Sequence, residues 1–109
     1  GITFQHIKAG SVSTFKDFSM VIDPHKFGMG RDELSERLSA EGVHTKKYFY
    51  PPLHKMAAYR ALQHRAENLV NTEFLSQHIL CLPIYSHMNI DTLEKICYAI
   101  YRIRNLNKG

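Results

Sequence analysis

The segment spanning residues 45–56 constrains the fold of this chain more than any other, because two prolines follow directly on three aromatic residues. Aromatic residues 48–50 favour a strand, whereas Pro51-Pro52 removes two backbone donors and biases the preceding residue towards an extended conformation. A strand that enters this segment must therefore end at the prolines. His54 follows immediately, so we predict that this corner presents side chains rather than continuing a sheet.

The side chains of this segment have the chemistry of a polar ligand site. Tyrosine hydroxyls, lysine ammonium groups and an imidazole can all bind a sugar or a phosphate, and corners at strand ends often carry binding residues. The residues alone leave two interpretations open. The segment is either a ligand-binding corner or a rigid turn between a strand and a helix that binds nothing.

Four segments have the composition of β-strands. Residues 4–8 and 18–23 are separated by a small, polar loop, and we predict that they pair. Residues 43–50 form the third predicted strand, and the apolar run 79–82, closed by Pro83, forms the fourth.

Helical spacing appears in the remaining segments. A helix is predicted over residues 31–41, with two leucines on one face and an ion pair between Glu33 and Arg37. Gly42 is expected to end it in the left-handed conformation.

The second half of the chain is predicted to contain three more helical segments. Residues 55–63 form a short helix, residues 64–71 a loop, and residues 72–77 a helical turn. The last helix is capped by Asn89 or by Asp91. Its apolar stripe consists of Leu93, Ile96, Cys97, Ile100 and Ile103.

Together these elements predict an α/β (α+β) fold. Strands accompanied by helices that each have one apolar side favour a two-layer sandwich, here a small antiparallel or mixed sheet with helices on one face. A chain of 109 residues supports one core, so we expect a single domain over residues 1–109. Residues 1–3 and 105–109 are expected to fray.

The composition argues against several classes of protein. The seven histidines lack the spacing of metal ligands, and Cys81 and Cys97 are both predicted to be small buried apolar residues, so neither a metal site nor a disulfide is expected. No apolar run approaches the ~20 residues of a membrane span and no signal peptide opens the chain, so a cytoplasmic location is expected.

The formal net charge of +4 raises the possibility of nucleic-acid binding. The charge is scattered, and only Lys46-Lys47 and the C-terminal cations cluster, so nucleic acid is not the expected partner. As an alternative, residues 48–50 could form a stacking platform beside these two lysines in an α/β module that binds single strands.

Three segments, in this order, resemble the DegT/DnrJ/StrS-type sugar aminotransferases. They are residues 17–23 followed by the sequence RDEL at 31–34, the sequence GVHTKKYFYPPLH at 42–54, and LCLPIY at 80–85 followed by an acidic-capped helix. The resemblance covers nearly the whole chain. It is to the C-terminal small domain of these fold-type-I pyridoxal-phosphate enzymes, and the second and third motifs are specific at this spacing.

The resemblance implies a function that this chain does not perform alone. Members of the family hold pyridoxal phosphate on a lysine of a large, N-terminal domain, and Lys16 has the wrong spacing for the family's Ser-Phe-x-x-x-Lys motif. Neither catalytic nor cofactor-binding residues are therefore expected here. The implied partners are the large domain, a second subunit in a homodimer, a keto-sugar nucleotide and an amino-acid donor.

The resemblance also assigns substrate-binding roles. Tyr48, Tyr50 and His54 are expected to approach the sugar or its phosphates, and Lys46 is expected to neutralise a phosphate. The implied process is the synthesis of amino sugars or surface polysaccharides. Two alternatives remain: a dehydratase branch of the same family, and a separately encoded noncatalytic module or relic.

Overall fold

The computed structural model describes residues 1–65 and 68–107. Its centre is a three-stranded antiparallel sheet in the order β1 (Ile2–Phe4), β2 (Phe18–Ile22) and β3 (Ile79–Leu82). The fold is therefore α+β, as predicted, and the sheet is antiparallel rather than mixed.

Helices connect these strands and complete the domain. The α-helices of the described residues are α1 (Pro24–Phe27), α2 (Arg31–Ala40), α3 (Val70–His78) and α4 (Ile90–Leu106). Two 3₁₀ helices, Leu53–Lys55 and Ala57–Arg65, precede α3.

The core lies between one face of the sheet and the helices α2 and α4. Alternate residues of β2, Met20 and Ile22, point into it and are fully buried. Helix α2 contributes the two leucines of its predicted apolar face, Leu34 and Leu38. The other buried members of this cluster are Phe27, Met29, Leu80, Ala99 and Ile103.

Helix α2 confirms its prediction in detail. The Arg37 guanidinium lies 2.6 Å from the Glu33 carboxylate, at the expected i,i+4 spacing. Gly42 has a φ of 79°, a left-handed conformation that glycine adopts without a steric penalty. The amide of Val43 then bonds to the carbonyl of Leu38, which completes the helix end.

The predicted strand over residues 43–50 is wrong. Only Lys46 pairs with the sheet, through two backbone hydrogen bonds with Cys81 at the outer edge of β3. Strand propensity depends on the neighbours available to a side chain. Here Tyr48 and Phe49 line a groove beside α3, the Tyr50 ring lies against the Arg31 guanidinium, and the chain leaves the sheet after one bridge.

Other boundaries also shift. The first strand covers Ile2–Phe4 instead of residues 4–8, because the Gly1 carbonyl accepts a hydrogen bond from the Asp23 amide and ties down the end predicted to fray. The helix predicted at 55–63 is a 3₁₀ helix. Residues 66 and 67 of the predicted loop 64–71 lie outside the described residues, whereas Val70 already begins α3.

The two cysteines differ in environment. Cys81 is buried as predicted, and its Sγ lies 3.0 Å from the Ser19 Oγ. Cys97 is exposed, contrary to prediction, because the buried stripe of α4 is narrower than its apolar sequence and is centred on Ile96, Ala99 and Ile103.

The N-terminus of α4 resolves the choice between its two candidate caps. The Asn89 side chain accepts a hydrogen bond from the Thr92 amide at 2.8 Å, so Asn89 is the cap. We expect Asn89→Ala to lower the free energy of unfolding by about 1 kcal/mol. Urea denaturation should show this loss, with Asp91→Ala as the matched control. A larger loss for Asp91→Ala than for Asn89→Ala would contradict the assignment.

Candidate functional site

The predicted site residues lie on residues 46–56, which we call the aromatic loop. The loop leaves the edge of β3 at Lys46 and runs along α3, where a groove of about 570 Å³ separates the two. Tyr48, Pro52 and Leu53 line this groove from the loop, and Leu75 lines it from α3. The loop therefore has one end on the sheet and its middle against a helix.

His54 is held by a carboxylate from α3. Its Nε2 lies 3.0 Å from Oε1 of Glu73, and the side chain of His54 is only 13% exposed. The Lys55 ammonium donates to the other carboxylate oxygen at 2.8 Å. The hydrogen bond from Lys55, followed by that from His54, lowers the pKa of Glu73, so this carboxylate remains ionised near neutral pH.

Tyr50 lies against a buried arginine. The Arg31 guanidinium carbon is 4.8 Å from the centroid of the Tyr50 ring, within the range of a cation–π interaction. Arg31 is 3% exposed, and its Nη1 donates to the carbonyls of Ser76 and Ile79 where α3 passes into β3. Tyr50 also borders an open depression of about 470 Å³ with Gln77 and His78.

The two adjacent lysines have separate surroundings. The Lys46 ammonium lies 5.6 Å from the centroid of the Tyr48 ring, and a hydrogen bond to the Tyr48 hydroxyl raises the pKa of Lys46. Lys47 instead approaches the Asp32 carboxylate at 2.6 Å. That hydrogen bond is the main cause of the lowered pKa of Asp32. Lys46 therefore differs from Lys47 in having no carboxylate within salt-bridge distance among the described residues.

The four predicted residues share one loop but do not form one pocket. Tyr48 lines the groove beside α3, Tyr50 borders the open depression, and His54 lines neither of these two cavities. Two further residues, Arg31 and Glu73, complete their surroundings. Sequence reasoning missed both, because their partners lie 45 and 19 residues away and no local pattern marks such contacts.

A family model for the DegT/DnrJ/EryC1/StrS aminotransferases matches residues 2–101. The chain belongs to this family. It is 34% identical over 97 residues to the dTDP-4-amino-4,6-dideoxy-D-glucose transaminase of Escherichia coli, covering 88% of this chain and 26% of that protein. The chain thus spans about a quarter of that relative's length.

Solved structures of the DegT family have the same fold. A DegT DnrJ EryC1 StrS aminotransferase from Brucella abortus aligns with a TM-score of 0.79 and 26% identity, over 94% of this chain and 26% of its own. DesI, crystallised in the presence of its TDP-sugar product, aligns with a TM-score of 0.78 and 29% identity, over 98% of this chain and 26% of its own.

The lysines of the aromatic loop do not fit the cofactor attachment that the DegT family implies. A lysine that forms a Schiff base needs surroundings that lower its pKa. The pKa of Lys46 is raised instead. Lys47 and Lys55 each contact a carboxylate, at 2.6 Å and 2.8 Å, so both side chains are already engaged in ion pairs.

A third cavity lies between the sheet and α4, and no residue of the aromatic loop lines it. This groove of about 440 Å³ is almost entirely apolar. Phe4 and Leu93, which line it, are exposed. The other lining residues are Ile2, Phe18, Met20, Leu82, Pro83, Ile84, Met88, Ile96, Cys97 and Ile100.

Residues 1–65 and 68–107 contain neither a cluster of metal ligands nor a helix suited to a membrane. No three histidine, cysteine or carboxylate side chains in this part of the chain converge in a way that could hold a metal ion. None of the helices described there combines the length and apolar character that crossing a membrane requires.

Proposed function

We propose that this chain is the C-terminal domain of a pyridoxal-phosphate-dependent nucleotide-sugar aminotransferase and helps to close its substrate site. The observation that carries the proposal is the similarity to the E. coli transaminase, which acts on a dTDP-linked amino sugar and matches 88% of this chain. Structural similarity to DesI supports the same substrate class. The complete protein would transfer an amino group between an amino acid and a keto sugar in the cytoplasm, for amino-sugar or surface-polysaccharide synthesis.

In this proposal, the cofactor belongs to a large domain and not to this chain. The lysine environments of the aromatic loop support that division, because the pKa of Lys46 is raised and Lys47 and Lys55 are engaged by carboxylates. The role of this chain is then to bind and orient the sugar nucleotide. A dehydratase, the other branch implied by the family, would use the same binding surface.

The aromatic loop supplies the groups for such binding. His54 and Tyr50 offer an imidazole and a phenol for hydrogen bonds to sugar hydroxyls. Lys46 offers a cation for a phosphate, and the ring of Tyr48 lies beside it. Phe49 is 70% exposed and offers an aromatic face next to them.

The apolar groove beside α4 supports the presence of a covering partner. Exposed apolar surface of this kind marks an interface on many proteins. The large domain and the second subunit of a homodimer are the partners we propose. A separately encoded module could use the same groove, and the intact mass of the native protein, compared with the 12.6 kDa of this chain, separates these two cases.

The proposal predicts a kinetic role for His54. In the complete protein, His54→Ala should raise the KM for the nucleotide sugar about tenfold, because one hydrogen bond from a largely buried imidazole is worth about 1 kcal/mol or more. Steady-state kinetics should use the dTDP-linked amino sugar of the E. coli relative as the probe, with α-ketoglutarate as the amino acceptor.

His25→Ala is the matched control, since His25 is exposed on α1 and is not on the aromatic loop. Its KM should equal that of the wild type. An unchanged KM for His54→Ala would remove His54 from the proposed site.

A further inference from the structure

We propose that Glu73 is a positioning residue that holds His54 as the Nε2–H tautomer and leaves its Nδ1 free to accept a hydrogen bond from the substrate. This inference rests on the proposed function, in which His54 contacts the sugar. It adds Glu73 to the proposed site. This residue lies on α3, outside the aromatic loop, and its carboxylate contacts His54 and Lys55.

The first step is the direction of the hydrogen bond. An ionised carboxylate can only accept, so the 3.0 Å contact requires a proton on Nε2 of His54. In the neutral imidazole the other ring nitrogen is then an acceptor. Within the described part of the chain, Nδ1 of His54 has no hydrogen-bond partner. Its lone pair therefore remains available to a donor such as a sugar hydroxyl.

The second step is the rigidity of the carboxylate. Both oxygens of Glu73 are engaged, one by His54 and the other by the Lys55 ammonium at 2.8 Å. Two fixed contacts set the plane of the carboxylate and hence the orientation of the imidazole. The lowered pKa of Glu73 is consistent with a carboxylate that stays an acceptor at neutral pH.

The third step is the anchoring of the helix that carries Glu73. Glu73 lies in the first turn of α3, where its negative charge is favourable towards the helix dipole, and its amide bonds to the Leu69 carbonyl. At the other end of α3, Arg31 holds the carbonyls of Ser76 and Ile79. Glu73 is thus presented by a helix whose C-terminal end is held by Arg31.

The direct test is the tautomer of His54 in the complete protein. Selective ¹⁵N labelling of histidine, with the His54 signals assigned by their loss in His54→Ala, reports which ring nitrogen carries the proton. We expect only the Nε2–H form in the wild type, and an added minor fraction of Nδ1–H in Glu73→Ala, because a neutral imidazole without this partner populates both tautomers with Nε2–H in excess. Glu73→Gln should retain the Nε2–H form because its carboxamide oxygen still accepts, and Lys55→Met should retain it because Glu73 is intact. The same tautomer populations in Glu73→Ala as in the wild type would overturn the inference.

Kinetics with the dTDP-linked amino sugar provide the functional readout. Glu73→Ala should raise the KM about tenfold with a smaller change in kcat, and Glu73→Gln should recover most of this loss. If His54→Ala raises the KM and Glu73→Ala does not, Glu73 has no positioning role. If neither variant changes the KM, the proposed contact between His54 and the sugar is wrong, and the tautomer measurement still decides whether Glu73 sets the state of His54.

Discussion

Replacing Arg31 with alanine should lower the free energy of unfolding by about 3–5 kcal/mol, because the buried guanidinium donates to two backbone carbonyls that would lose this donor. The Arg31 side chain is 2% exposed and bonds to two carbonyls at the junction of α3 and β3 and to the Asp32 carboxylate. Alanine leaves those carbonyls without this donor, and each unsatisfied buried acceptor costs about 1–3 kcal/mol. The variant also removes the cation on which the Tyr50 ring lies.

Urea denaturation followed by circular dichroism gives the change directly, provided that the slope with denaturant is unchanged. Arg102→Ala is the matched control, because Arg102 is half exposed and pairs with Glu41 at the surface. That control should lose less than about 1 kcal/mol. If Arg31→Ala loses no more free energy of unfolding than Arg102→Ala, the buried hydrogen bonds of Arg31 contribute little to the stability of the junction.

The second large effect is expected in the core. Leu38→Ala should lower the free energy of unfolding by about 3–5 kcal/mol, because the side chain is fully buried and its removal leaves a cavity between α2 and the sheet. Leu106→Ala, at an exposed position near the end of α4, should cost less than about 1 kcal/mol. Equal losses for these two leucine variants in the same denaturation experiment would contradict the assigned core.

Predictions from the sequence succeeded where the determinants are local. Leu34, Leu38 and the glycine after α2 lie within about two helical turns, so they fix that helix without reference to the rest of the chain. The apolar run of β3 is likewise bounded by its own sequence. The pairing of β1 with β2 likewise joins two neighbouring segments, whereas the sequence left open whether the whole sheet is antiparallel or mixed.

Predictions failed where a distant partner decides the conformation. The aromatic residues after Lys46 have strand propensity, but no neighbouring strand pairs with them, and Tyr50 instead finds the guanidinium of Arg31. Cys97 lies on an apolar stripe of α4 that the sheet covers only in part. The spacing of residues in the sequence predicts neither the contact between Tyr50 and Arg31 nor the exposure of Cys97. Both depend on how closely two elements pack in the folded chain.

The candidate site was predictable in location but not in arrangement. The motif around Pro51-Pro52 identified the loop and its polar side chains. The carboxylate of Glu73, which engages His54, lies on a helix that the sequence predicted only as a turn over residues 72–77. The proposed binding roles of Lys46, Tyr48, Tyr50 and His54 therefore still depend on the kinetic and spectroscopic experiments above.

The attachment of the aromatic loop at both ends has an energetic consequence. One end is bonded to β3 through Lys46, the other to α3 through His54, and α3 continues directly into β3. Ordering a free loop costs about 1–2 kcal/mol of conformational entropy for each residue. Here that entropy is lost when the chain folds, so a ligand meets a preorganised surface and does not have to order the loop on binding.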